Sequence, residues 1–164
     1  MTRPARRVYS ARMAWSLVIL LTLMLAGPVS ASGVKSPDEV LPRVDHHLRH
    51  VETLAQHFES VLRTDCPRFG SANDWHRYLD GEVERVVLLI AHVEQAWVEA
   101  KTTGDDNVRR AAKAPRKRLE EARALVGKLS DCADANGSSL NHFGLWRRIE
   151  RAVPQRQTEI ALPQ

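Results

Sequence analysis

The stretch from Leu79 to Lys101, LDGEVERVVLLIAHVEQAWVEAK, constrains the fold more than any other part of the chain. Leu79, Val83, Val86, Ile90, Val93, Trp97 and Ala100 follow one another at steps of four and three. That repeat lines side chains along one seam of an α-helix. Leu89 and Ala96 widen the seam on one side and Val87 on the other. A helix apolar over so broad an arc has two flanks to bury, which makes it the middle helix of a bundle.

The segments on either side supply its neighbours. Leu41, Val44, Leu48, Val51, Ala55, Phe58 and Leu62 keep the same alternation, which predicts a helix over about residues 38–64. The central helix is expected over 72–101, with Ser71 and Asp74 as a variant of the capping box. A third seam, Val108, Ala112, Pro115, Leu119, Ala122, Val126 and Leu129, follows the turn TTGDD. Proline within it removes a backbone hydrogen bond, so the third helix is expected to kink or restart at Pro115, with weaker packing before it. Leu140, Phe143, Trp146, Ile149 and Val153 predict a short fourth helix, stopped by Pro154. The expected fold is therefore all-α: an antiparallel three-helix bundle with a short fourth C-terminal helix packed on it. Residues 32–153 form the domain and 154–164 an extended or disordered tail.

The first 31 residues read differently. Arg3, Arg6, Arg7 and Arg12 precede a 14-residue apolar run from Met13 to Ala26, and Val29-Ser30-Ala31 is a small-residue cleavage site. This is the pattern of a cleavable secretory signal peptide; about 20 apolar residues are needed to span a bilayer. The expected location is periplasmic or secreted, with no membrane attachment after cleavage. The four basic residues of this segment account for the whole excess of 24 basic over 20 acidic residues, so the remaining 133 residues are neutral with histidine uncharged. The basic isoelectric point thus gives no ground for nucleic-acid binding.

The charges are unevenly placed. Asp38, Asp45, Glu52 and Glu59 recur every seven residues on the first helix, as do Arg109, Arg116 and Arg123 on the third. The expectation is that these series complement each other as flanking pairs of a coiled coil do. The two cysteines, Cys66 and Cys132, each end a long helix. Up-down-up topology brings both to one end of the bundle, and in an exported chain that predicts a disulfide closing a loop of about 67 residues.

Chemistry-bearing residues are few. The chain has no nucleophile elbow, no phosphate-cradling glycine loop and no C-x-x-C pair, so no catalytic residue and no cofactor are assigned. His76 falls in line with the central seam and is expected to be a partly buried helix-end residue. The first helix carries His46, His47, His50 and His57. His46 and His50 are one turn apart, so two imidazoles can share a divalent ion, with His57 or Asp45 as a further ligand. Relative to the seam His46, His50 and His57 point outward, with His47 on its edge. The function expected is that of a non-enzymatic binding or adaptor protein with a protein partner; the alternative is metal binding through His46, His50 and His57.

Overall fold

The structure, a computed structural model, describes residues 33–163. The expected signal peptide lies outside the described residues. Residues 34–164 make one compact unit, which holds the whole described core. Its helices are α1 (Pro37–Arg63), α2 (Ala72–Ala100), α3 (Asp106–Lys113), a 3-10 turn (Ala114–Arg118), α4 (Leu119–Ala135) and α5 (His142–Ile160). The protein is all-α, with helices packed against each other as a bundle. Among the described residues the only β contact is an isolated bridge between Lys35 and Thr103.

Side-chain pairs fix the topology. Arg43–Glu99, His47–His92 and His57–Glu82 run in opposite order along α1 and α2, so those helices are antiparallel. Arg118 meets Glu52 and Glu59, Lys128 reaches the carbonyls of Val61 and Leu62, and Cys132 is bonded to Cys66. These contacts advance together, so α3 to α4 runs parallel to α1. Asp80–Arg148 and Gln95–Gln157 likewise set α5 parallel to α2. The order is up, down, up, down.

Local chemistry explains most boundaries. Ser71 Oγ accepts from the Asp74 backbone N–H and donates to the Asp74 carboxylate, closing the start of α2. Asp105 caps α3 through the N–H groups of Asn107 and Val108. Asn141 caps α5 in the same way. The break expected at Pro115 is present as the 3-10 turn, none of whose residues is buried. Pro154, by contrast, does not end the last helix. α5 continues to Ile160, so the expected tail from residue 154 is helical for most of its length. A proline inside a helix costs about 3 kcal/mol. Here the turn beyond it is anchored: Arg156 pairs with Glu84, Gln157 bonds Gln95, and Ile160 packs on the core.

The apolar interior is in two parts. The larger contains Phe58, Trp75, Leu79, Val86, Leu89, Ile90, Leu125, Leu129 and Ile149. The smaller is built from Val40, Val44, Ala96, Ala100, Val108 and Ala112. The disulfide joins Cys66 and Cys132, with Cα atoms 5.3 Å apart, at the end of the larger cluster. Asn136 secures the same end, accepting from Phe69 N–H and donating to the carbonyls of Pro67 and Cys132. His76 is exposed, one residue beyond the buried Trp75, and not part of the seam.

The charge complementarity between α1 and the third passage works through one residue outside the expected series. Arg118 donates to Glu121, Glu52 and Glu59, and the bonds to Glu121 and Glu52 raise its pKa further above its ordinary value. Arg109 and Arg123 pair with Asp106 and Glu120 on their own helices, and Arg116 lies over Trp97. The 3-10 turn shifts the azimuth of the residues around it, so a heptad series does not survive across it.

Candidate metal centre

Polar residues occupy one stripe of the α1–α2 interface. On α1, Arg43, His47, His50 and His57 follow steps of four, three and seven and share a face. Glu82, His92, Gln95 and Glu99 answer from α2, and all four are buried. The middle of this stripe is a layer of imidazoles. His50 stacks on His92 with ring centroids 4.5 Å apart and planes 7° from parallel. His46 meets His50 edge-on at 4.7 Å and His47 at 5.2 Å. His47 Nδ1 and His92 Nδ1 are 2.9 Å apart, one donating its proton to the other.

The layer sits where the apolar interior is interrupted. Val44, one turn before His47, belongs to the smaller cluster and Val51, one turn after, to the larger. On α2, Ala91 and Val93 flank His92 in the larger cluster, and Ala96 begins the smaller one. His47 is fully buried, and its Nε2 finds no hydrogen-bond partner. A buried polar atom left unpaired costs about 1–3 kcal/mol.

Burial and mutual repulsion favour the neutral form of His46, His47 and His92. Desolvation first, then the neighbouring His46, lowers the His47 pKa to about 4. Desolvation, followed by His50, His47 and His46, lowers His92 to about 3. His46 is lowered too, mainly by desolvation and then by His50. Neutral imidazole is the form that carries a lone pair for a metal ion.

A second network supports the layer. Arg43 grips Glu99 with Nε and Nη2 at 2.8 and 3.0 Å and donates to the carbonyls of Leu162 and Pro163. Gln95 donates to Glu99, and Gln157 to Gln95. Despite its burial the Glu99 carboxyl is held below its usual pKa by the Arg43 and Gln95 hydrogen bonds. A carboxylate therefore stands near His47, whose protonated form it favours against the trend of the site.

Of the residues singled out in the sequence, His46 and His50 are brought together, and His57 is not with them. His57 Nε2 is 2.8 Å from Glu82, two turns further along α1. The outward face assigned to these histidines is only partly so: His50 is exposed, His46 and His57 are half-buried. His47, placed on the edge, is interior. His92 was not singled out, although the signal was present: it is an imidazole inside the densest apolar run of the chain. Among the described residues no three histidine, cysteine or carboxylate side chains converge on one ion position. Three-ligand binding therefore requires at least one ring to turn.

The chain matches no protein-family model, no curated protein and no solved structure.

Proposed function

We propose that this is an exported, non-enzymatic metal-binding protein, which takes a divalent transition ion between α1 and α2 through His47, His92, His46 and His50. One observation carries the reading: four imidazoles from two helices stand in mutual ring contact, and the most buried has an unpaired nitrogen. The expected ligand set of His46, His50 and His57 becomes one in which His47 and His92 replace His57. The broader expectation of a binding protein is thereby given a ligand.

Binding requires the stacked rings to turn and one of them to change tautomer. A tetrahedral ion with nitrogen ligands at about 2.0–2.1 Å separates them by about 3.3 Å. The Nδ1 atoms of His47 and His92 are 2.9 Å apart. Moving the shared proton to the Nε2 of the ring that holds it and turning both rings toward a common vertex opens that edge, with His46 and His50 on the accessible side to complete the shell. An imidazole-rich set suits Cu²⁺, Zn²⁺ and Ni²⁺ over the oxygen-seeking Mg²⁺ and Ca²⁺. Buried Glu99 offsets part of the added charge.

Calorimetric titration of residues 32–164 with each of Cu²⁺, Zn²⁺ and Ni²⁺ at pH 7.5 tests this. One equivalent should bind, and His47→Gln/His92→Gln should weaken binding at least tenfold while His57→Gln leaves it unchanged. Equal affinity in wild type and the His47/His92 variant would defeat the proposal.

A further inference from the structure

The balanced charge of residues 32–164, with 20 basic and 20 acidic residues, hides a segregated one. Most arginines of the bundle are matched: Arg43 with Glu99, Arg85 with Glu82, Arg118 with Glu52 and Glu59, Arg148 with Asp80, Arg156 with Glu84. The end of α2 and the run from α3 through the 3-10 turn are different. Lys101, Arg110, Lys113, Arg116 and Lys117 are all exposed and form no ion pair among the described residues. Arg109 reaches Asp106 only at 3.7 Å.

Three of these cations crowd one aromatic ring. Lys113 Nζ lies 4.9 Å, Lys101 Nζ 5.2 Å and Arg116 Cζ 5.4 Å from the centroid of Trp97. The indole face partly satisfies them. It adds no negative charge, so like charges remain close together around it, with Asp106, held by Arg109, the one acid lining the cleft beside it. Beside Trp97 an open cleft is lined by Asp106, Arg109, Arg110 and Lys113.

We propose that this face, formed by the C-terminal end of α2, α3 and the 3-10 turn, is a docking surface for an anionic phospholipid bilayer. Its charge complements a surface of phosphate headgroups. Its cations span about 14 Å along α3 and the turn, which suits a laterally extended anionic plane better than a single small ligand. Clusters of four to eight lysines and arginines on one helix face bind acidic lipid in this way. The apolar residues of α3, Val108 and Ala112, are buried against the bundle, so adsorption is electrostatic and no helix inserts. The neutrality of residues 32–164 does not oppose it, because Debye screening over about 8–10 Å lets the local surface act alone.

Co-sedimentation of residues 32–164, a self-contained compact unit, with vesicles tests the proposal. Vesicles of phosphatidylcholine mixed with phosphatidylglycerol should bind the protein, and pure phosphatidylcholine should not. Binding should weaken as salt rises. Lys113→Glu/Lys117→Glu should lose binding at least about tenfold. The charge-matched control Arg147→Glu/Arg151→Glu, on exposed positions of α5, should stay close to wild type; circular dichroism and thermal melts establish that both variants fold. Equal binding to neutral vesicles, no binding to acidic ones, or an equal loss in the α5 control would overturn it. So would retention by an acidic protein through this face without any binding to lipid.

Discussion

The two ends of this bundle are built on different terms. At the disulfide end the interior is filled by large side chains, Phe58, Trp75, Leu125, Leu129 and Ile149, all fully or almost fully buried. Phe69 and Tyr78 pack beside Trp75, and Asn136 ties the inter-helix loop to α4. At the other end the interior consists of valines and alanines, the third passage is interrupted at Ala114–Arg118, and the surface is crowded with cations. Between them lies the imidazole layer. Small side chains bury less apolar area, and burial contributes roughly 25 cal/mol per Å². The contrast teaches that the end carrying the polar chemistry is the one with least apolar stabilisation of its own, held to the structure by a well-packed other half.

The bridge should give the largest effect. Reducing Cys66–Cys132, or replacing both by serine, should lower stability by about 4 kcal/mol in the chain-entropy model, read from denaturant unfolding with and without reductant. Thiol titration of the unreduced protein should find no free thiol. A change below about 1 kcal/mol would show that packing alone secures this end.

Core truncation comes next. Ile90→Ala, in the larger cluster, should cost about 2–5 kcal/mol, and Val44→Ala, in the smaller, about 1–2 kcal/mol. Equal losses would erase the asymmetry between the halves.

The histidine layer should make stability depend on pH. His47 and His92 bind protons near pH 6.5 when unfolded but only at about 4 and about 3 when folded. Between those values the unfolded chain holds more protons, so stability rises with pH. Their contribution is fully present above about pH 6.5 and is lost as pH falls toward the folded values. It amounts to a few kcal/mol in total, and unfolding free energies measured between pH 7 and 5 should show its onset. His47→Gln should flatten that slope. Below about pH 4.5 Glu99, whose pKa is lowered, adds a loss of the same sign. Metal binding should persist below pH 6.5, since protons compete poorly for the two buried rings.

The smallest effect is expected in α3. Ala112→Gly should cost about 1 kcal/mol or less if that turn already frays. Amide exchange over residues 106–118 should be faster than over 83–93, and equal protection would show that the interruption at Pro115 costs little.

The sequence by itself determined the helices, their order and the disulfide. A 3/4 apolar repeat survives in any context, and short turns leave helices no alternative to antiparallel packing. Two cysteines at the ends of the first and third helices then meet. It also marked Pro115 as a break, because a missing N–H is a local fact. Tertiary structure decided what depends on neighbours in space. Pro154 is chemically the same residue as Pro115, yet α5 passes through it because Arg156, Gln157 and Ile160 are held by α2 and the core. Arg118, outside every heptad series, became the partner of Glu52 and Glu59 once the 3-10 turn reset the azimuth. The imidazole layer is the clearest case. His46 and His50 share a face by periodicity alone. His47 continues the buried series Val44, His47, Val51 by periodicity as well, but that His57 is drawn to Glu82 and that His92 completes the layer depend on the register of α1 against α2. Register is set by the sum of many side-chain contacts across an interface, and no single-helix pattern encodes it.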